Sequence, residues 1–423
     1  MKQKLKVVWL CHFSNADVRK HLPMRVPVLE RLVRNMMHNP SKENSDFAQW
    51  NTNAIREFEK FTDDIDLYVV APFHYLTRDE VRFDHNGIHY YFFKDKLSYL
   101  GREFSKRVLK KHVFSYSWNR KMAVREIERI KPDIVHLIGA ENPYYGLAAL
   151  DLPKGMPLIV QLQTLLSNPK FKDNYFMDDG DYYFRQGVEE ELILRADYIG
   201  TTVTEFIPLV KEIKPDAVIV PTCLAVTEPT VKKNLDTAFD FVYFANSIDK
   251  AADVALEAFA IAHSRHPSIS LDIVGSGSTD FVGQLHRRIL ELNLANNVVF
   301  EGRLATHEDV ITQIRKARFA LLPLKIDLIS GTIREAMANG LPVVTTVTPA
   351  TPSLNEKRES VLLSQQGDYD AMALNMCKLL EDEELAKRIS DNALLTSSES
   401  SSNTELMNGW KKVYLDLMKD CTN

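Results

Sequence analysis

A short stretch in the second half of the chain has the residue types and the spacing of a site for a phosphate group and a diol. Ser330, Gly331 and Thr332 stand at the start of a predicted helix, Ile333–Asn339, and Glu335 follows one turn later. Small residues let backbone N–H groups close on an anion, which the positive end of the helix also attracts. A carboxylate one turn in can accept two hydroxyl groups, as acidic residues do for the ribose of a nucleotide. The stretch therefore predicts a nucleotide site.

The elements around this stretch are those that must position it. An apolar run, Ala320–Pro323, predicts a buried strand before the loop, and Leu341–Thr346 predicts a second strand after the helix. Asn339 and Gly340 form a helix C-cap signal, and Pro342 follows just beyond it. The polar groups are therefore expected at one edge of a sheet. Their neighbours along the chain would be a strand and a loop before them, and a helix and a strand after them.

The segment Leu321–Thr346 resembles the signature of the group 1 retaining glycosyltransferases of the GT-B fold. That signature has two acidic residues eight positions apart around a small-residue loop, and here they are Asp327 and Glu335. The resemblance implies that Asp327 faces the donor sugar as a catalytic residue and that Glu335 binds the ribose. The family usually has Glu at the first position, so the carboxylate of Asp327 reaches about one methylene less far.

The resemblance also assigns groups to the diphosphate of the donor. Lys250 matches a family lysine with a catalytic role in neutralising the leaving group, whereas Ala245 stands where the family has an arginine. Because the departing diphosphate carries two to three negative charges, another cation is needed, and Arg303 is the first candidate. Lys325 and Arg334 are the others. The loop of Gly275, Ser276 and Gly277 follows a predicted strand and is expected to lie against the nucleotide.

The first half of the chain offers candidates for the acceptor side. The loop after the predicted strand Lys6–Leu10 lacks the family's glycine pair, and two readings of this loop stay open: an acceptor site or a solvated loop. Gln163 stands where many family members have a histidine close to the donor sugar. Glutamine cannot act as a base, but it can hydrogen-bond to a sugar hydroxyl. The residues assigned to the acceptor side are His12, Ser14, Asn15 and Glu141.

The order of strands and helices predicts an α/β protein with two Rossmann-like doubly wound domains. Strands and helices alternate over about 220 residues and then again after a linker. We expect an N-terminal domain at residues 1–222, joined by a C-terminal helix at 403–423, and a second domain at 239–395. The resemblance implies that the two domains face a cleft and that the last helix crosses back to the first domain.

The composition of the chain limits the kinds of partner and ligand that we expect for the protein. The net charge of −5 gives no basic footprint for nucleic acid. The four cysteines are far apart without metal spacing, so we expect reduced thiols, no metal and no cofactor. No stretch approaches the roughly 18 apolar residues of a membrane span, which favours a cytoplasmic protein. The basic stretch Arg102–Lys111 is either a solvated helix or a peripheral contact with the inner membrane face.

These features predict a retaining glycosyltransferase that moves a sugar from a nucleotide-diphosphate donor to a saccharide or lipid-linked acceptor. The pathway expected for it is the synthesis of cell-surface polysaccharide or another glycoconjugate. Two alternatives stay open. Ala245, Gln163 and the missing glycines are compatible with a non-catalytic nucleotide-sugar-binding or scaffold protein. A nucleotide-sugar epimerase of the same shape would need a cluster of acids and a histidine around the sugar, which the sequence does not display.

Overall fold

The computed structural model describes residues 4–13, 15–29, 31–32, 48–96, 116–172, 179–226, 237–325, 330–348, 350–399 and 402–420. Within these residues the chain forms two β-sheets, one from residues 5–220 and the other from residues 239–364. Each sheet falls inside one of the two predicted domains, whose limits stay predictions. Ser14, Asp327 and the basic stretch Arg102–Lys111 lie outside the described residues.

The first sheet has the strand order β3-β4-β2-β1-β5-β6-β7-β8. Its strands pair in parallel except for β3, which runs antiparallel to β4 at the edge of the sheet. The strands are β1 Leu5–Cys11, β2 Ile65–Pro72, β3 Glu80–His85, β4 Ile88–Phe93, β5 Ile134–Ile138, β6 Leu158–Gln161, β7 Tyr198–Gly200 and β8 Ile219–Val220.

Helices cover both faces of this sheet, because alternate residues of β1 belong to two different cores. Val7 and Trp9 pack in one apolar cluster, and Val8 and Leu10 pack in the other. This is the arrangement that fully apolar parallel strands require. The helices of this half are α1 Ala16–Arg19, α2 Gln49–Phe58, α3 Ser117–Ile130, α4 Pro143–Gly146, α5 Pro169–Lys172, α6 Asp179–Arg195 and α7 Phe206–Ile213.

The second sheet is parallel throughout and has the order β11-β10-β9-β12-β13-β14. Its strands are β9 Phe239–Ser247, β10 Leu271–Ser276, β11 Val298–Gly302, β12 Ala317–Leu321, β13 Val343–Thr346 and β14 Val361–Ser364. The helices that follow these strands are α8 Ala252–Arg265, α9 Thr279–Glu291, α10 His307–Ile314, α11 Gly331–Ala338, α12 Tyr369–Glu381 and α13 Glu383–Glu399.

The C-terminal helix α14, Asn403–Asp420, packs on the first sheet's side of the molecule. Trp410 lies edge-on to Trp9 of β1, with ring centroids 5.4 Å apart. The indole N–H of Trp9 also donates a hydrogen bond to the hydroxyl of Tyr414 at 3.0 Å. These buried contacts confirm that the last helix crosses back to the first half of the chain.

Candidate functional site

The candidate nucleotide site lies where the second sheet changes direction of winding. From the central strand β9 the chain adds β10 and β11 on one side, and then β12, β13 and β14 on the other. The carboxyl ends of β9 and β12 therefore flank a crevice, the usual ligand position in a doubly wound sheet. Lys250 follows β9 in the short helical turn Ile248–Lys250, and Ser330, Gly331 and Thr332 follow β12. The topology thus brings these predicted residues to one edge.

The start of α11 keeps part of its anion-binding capacity. Ser330 is the N-cap, and its hydroxyl oxygen accepts a hydrogen bond from the N–H of Ile333 at 3.3 Å. That amide is therefore used by the protein, but the N–H groups of Gly331 and Thr332 have no acceptor within the helix. A Cβ placed on Gly331 meets no atom within 4 Å among the described residues. Gly331 thus brings no side chain beside the two amides.

The side chain of Glu335, on α11, contacts the neighbouring helix α10. Its carboxylate is 13% exposed, and its Oε1 lies 3.5 Å from Nε2 of His307, the first residue of α10. A capping box between Thr306 and Asp309 fixes the start of that helix. His307 was not predicted from the sequence, because its only local signal is a histidine at a helix start. The start of α10 and the residue one turn into α11 thus bring an imidazole and a carboxylate together.

The small residues Gly275 and Ser276 end β10, and the structure shows why a glycine is needed there. Gly275 has φ +140°, and a Cβ there would lie 2.1 Å from the carbonyl oxygen of Ala245. Only glycine allows β10 to approach the end of β9 this closely. The hydroxyl of Ser276 donates to the carbonyl of Asn246 at 3.2 Å, and Gly277 continues the loop half-buried. Nucleotide contacts of this loop stay predictions.

The four basic residues considered as partners of the diphosphate differ in exposure and in their contacts. Lys250 is exposed at the crevice, and Arg303 is half-buried directly after β11. The ammonium group of Lys325 lies 2.8 Å from Oδ2 of Asp253, so it already forms a salt bridge. Arg334 is half-buried on α11. A contact from Lys325 to the diphosphate would therefore compete with its salt bridge to Asp253.

The first sheet has an equivalent switch point between β1 and β5. His12, directly after β1, is exposed there. Asn15 is buried, and its side-chain oxygen accepts hydrogen bonds from the N–H groups of Asp17 and Val18 at 3.0 and 3.1 Å. This amide therefore caps α1. An acceptor contact from Asn15 would compete with that cap.

Glu141 and Gln163 lie in the loops after neighbouring strands of the first sheet. Glu141 follows β5 and is 8% exposed, and among the described residues its Oε2 has no hydrogen-bond partner. Burial raises the pKa of this carboxyl to about 7. Gln163 follows β6, and its side-chain nitrogen is buried with no hydrogen-bond partner in the described part of the chain. Buried polar atoms are normally hydrogen-bonded, so both groups are notable.

Other clusters of ionisable groups have structural explanations. His266, Cys377 and Glu381 have ligand atoms within 4.8 Å of one another, but Nε2 of His266 is hydrogen-bonded to Glu381 at 2.8 Å. Burial raises the pKa of Cys377, which favours the protonated thiol over a metal ligand. His136 is fully buried against Trp410, as expected of a core histidine.

In the described parts of the chain, no helix has both the length and the apolar character to cross a bilayer.

The two sheets and the crevice of the second define the GT-B class of fold, and comparison with known proteins agrees. Sucrose-phosphate synthase from Thermosynechococcus elongatus superimposes with a TM-score of 0.69 at 14% identity, over 99% of this chain and 100% of that one. HepE from Anabaena, solved with UDP and glucose, gives a TM-score of 0.65 at 14% identity, over 97% and 100%. At this identity the likeness shows the fold.

The second half of the chain carries the family relationship. Residues 230–395 match the family model "Glycosyl transferases group 1". An uncharacterized glycosyltransferase of Haemophilus influenzae is 27% identical over 165 residues, which are 39% of this chain and 45% of that protein. The chain thus spans less than half of the length of this curated relative.

Proposed function

We propose that the protein is a retaining glycosyltransferase that transfers a sugar, of the hexose type, from a nucleotide diphosphate to an acceptor. One observation carries the proposal: the group 1 segment places Lys250, the start of α11 and Glu335 around the switch point of its sheet. The N–H groups of Gly331 and Thr332, with Lys250, hold the diphosphate. Glu335 holds the ribose, and Asp327 faces the sugar.

In this proposal, catalysis depends on stabilising the charge of the departing diphosphate. Backbone N–H groups at a helix start and a lysine do so without reorganising during the reaction. Arg303 supplies the second cation, because it directly follows Gly302 at the carboxyl end of β11, at the same edge of the sheet. The leaving phosphate takes the proton of the attacking hydroxyl on the same face of the sugar, so retention needs no nucleophile from the protein. Closure of the two domains excludes water.

The donor and the acceptor are proposed by class. HepE was solved with UDP and glucose, so a UDP-sugar is the first donor to test. The acceptor is a saccharide, free or lipid-linked, and a phosphorylated saccharide is a further class because sucrose phosphate is named in a structural relative. We place the reaction in the cytoplasm, in the synthesis of a polysaccharide or glycoconjugate. A lipid-linked acceptor would bring Arg102–Lys111 to the membrane face.

A second function is favoured by one observation, the alanine at position 245. If Arg303 does not compensate for it, the protein binds a nucleotide sugar without turning it over. The two functions are separated by incubating the full chain with UDP-, GDP- and ADP-sugars and a panel of saccharide acceptors. Nucleotide release that depends on the acceptor supports the transferase. Tight binding of the donor without release in any combination contradicts it and supports the binding protein.

A further inference from the structure

We propose that Lys325 serves the donor site by neutralising Asp253, a carboxylate beside the crevice of the second sheet, and not by contacting the diphosphate itself. The inference rests on the proposed function, in which the diphosphate lies between the carboxyl ends of β9 and β12. It deepens that function by giving an ion pair of the same site a role in anion binding. The family relationship assigns no role to this pair.

The salt bridge between Lys325 and Asp253 joins the two sides of the crevice. Asp253 lies in the first turn of α8, shortly after Lys250 on the β9 side, and Lys325 follows β12 on the other side. Nζ of Lys325 lies 2.8 Å from Oδ2 of Asp253. Because β9 and β12 flank the crevice, a diphosphate that Lys250 holds lies close to the Asp253 carboxylate.

The main chain that carries Lys325 is anchored to neighbouring parts of the sheet. The hydroxyl of Thr346 on β13 accepts from the N–H of Leu324 at 2.8 Å and donates to the carbonyl of Leu324 at 2.7 Å. The side-chain amide of Gln366, after β14, donates to the carbonyl of Lys325 at 3.1 Å. The lysine therefore starts from a fixed backbone position, which lowers the entropy that it loses when it pairs with Asp253.

The position of Asp253 has a structural explanation in the start of α8. The N-cap of this helix is Ala251, whose side chain cannot accept a hydrogen bond from the helix start. An acid in the first turn is favourable there, because it lies at the positive end of the helix. Oδ1 of Asp253 is enclosed and accepts no hydrogen bond from the described residues. Lys325 is therefore the cation that the structure places against this carboxylate.

The charge of Asp253 matters because the ligand of this crevice is an anion. Like charges in one site weaken binding, and the repulsion grows with the charge of the ligand. With Lys325 in place the ion pair has no net charge, whereas without it an uncompensated carboxylate would face the diphosphate beside Lys250. The side chains of Lys325 and Asp253 are 27% and 48% exposed, so their salt bridge contributes little to folding stability. Its main effect is therefore expected in anion binding.

The first test varies the charge of the ligand. Lys325→Met keeps the length of the side chain and removes its charge, and Lys325→Gln serves if Lys325→Met does not fold. The full chain is titrated calorimetrically with uridine, UMP and UDP, or with the corresponding guanosine or adenosine series if the wild type prefers that base. Lys325→Met should weaken the diphosphate at least about fivefold, the monophosphate less and the nucleoside not at all. Equal weakening of all three ligands would indicate a structural disturbance and overturn the inference.

The second test removes the charge that Lys325 neutralises. A double variant with Lys325→Met and Asp253→Asn should bind the diphosphate to within about twofold of the wild type, because no unpaired carboxylate remains. A lysine that contacts the diphosphate directly would leave the double variant as weak as Lys325→Met. Lys387→Met is the matched control, since it removes a lysine from an exposed salt bridge with Asp391 on α13. This control should leave the affinity unchanged.

The outcomes separate this inference from the proposed function. Wild-type affinity in the folded Lys325→Met variant, or a double variant that is not restored, contradicts the role of the ion pair and leaves the donor site intact. A wild-type chain that binds none of UDP, GDP and ADP contradicts the proposed function, and the inference with it.

Discussion

Oε1 of Glu335 and Nε2 of His307 lie 3.5 Å apart, although the two residues lie on different helices that follow different strands. Both side chains are largely buried, with 13% and 15% exposure. A carboxylate held in this way loses less freedom when it binds a diol, and preorganisation of this kind raises affinity. The contact therefore links a residue that sequence alone identified to one that it did not.

His307→Ala should weaken nucleoside diphosphate binding three- to tenfold, which corresponds to about 0.6–1.4 kcal/mol. The reason is that Glu335 would lose a neighbour that restricts its rotamers. His307→Gln, which keeps a donor nitrogen, should recover most of the affinity. Calorimetric titration measures both, with His286→Ala on the exposed face of α9 as the control. Unchanged or tighter binding in His307→Ala would show that the contact does not position the acid.

Gly275→Ala should destabilise the second half of the chain by about 2 kcal/mol or more. The new Cβ would lie 2.1 Å from the Ala245 carbonyl oxygen, a backbone atom, at a φ of +140° that alanine rarely adopts. Gly283→Ala is the matched control: it lies on α9, and its Cβ meets no described atom within 4 Å. That change should stabilise by about 0.5–1 kcal/mol. The midpoint of urea unfolding measures both, and equal midpoints would contradict the close approach of β9 and β10.

Tyr414→Phe should lower stability by about 1–3 kcal/mol. Its hydroxyl accepts from the indole N–H of Trp9 at 3.0 Å and lies 2.5 Å from Nδ1 of His136, whose pKa burial lowers to about 3. Phenylalanine would leave the indole donor buried without its acceptor. Tyr369→Phe, at an exposed site on α12, is the control. Identical thermal midpoints for the two variants would mean that this hydrogen bond does not secure α14.

Asp272 should make stability depend on pH between about 4 and 6. Burial raises the pKa of this carboxyl to about 6, although Gln313 donates to its Oδ2 at 2.8 Å. The folded state therefore binds the proton more tightly, so this residue's contribution is fully present below pH 4 and is lost as pH rises through 6. Asp272→Asn should remove that loss, on the order of 3 kcal/mol at pH 7.

Urea midpoints at pH 4.5 and 7.5 measure the effect of Asp272→Asn. The variant should be more stable than the wild type at pH 7.5, and this difference in the free energy of unfolding should shrink at pH 4.5. Asp280→Asn, an exposed residue in the first turn of α9, is the control. A gain that is equal at both pH values would contradict the assignment of a raised pKa to Asp272.

The sequence predicted the parallel strands well because burial on both faces makes them continuous apolar runs. The antiparallel edge strand β3 was missed, since its charged residues Glu80, Arg82 and Asp84 alternate as in an exposed segment. These side chains pair across the surface: Arg82 contacts Glu126 of α3 at 2.7 Å. Such pairing is long-range and leaves no local signal.

The candidate site residues also differ in whether a local sequence pattern could predict them. Ser330, Gly331 and Glu335 were predicted as candidates because a helix start and the residue one turn beyond it are local features. His307 was missed, because its contact depends on how α10 and α11 are placed by two different strands. Asn15 has a structural role that the loop pattern did not indicate, because its side-chain oxygen caps α1. Its contact with an acceptor stays a prediction.

The central claim is that α11 holds the diphosphate and Glu335 the ribose, and calorimetric titration of UDP, GDP and ADP tests it most directly. The wild-type chain should bind at least one of these nucleotides, and Glu335→Ala should weaken that binding at least tenfold, or about 1.4 kcal/mol. Glu308→Ala, an exposed glutamate in the first turn of α10, should bind as the wild type does. Equal affinity of Glu335→Ala and the wild type would contradict the ribose assignment, and no binding of any nucleotide would contradict the site.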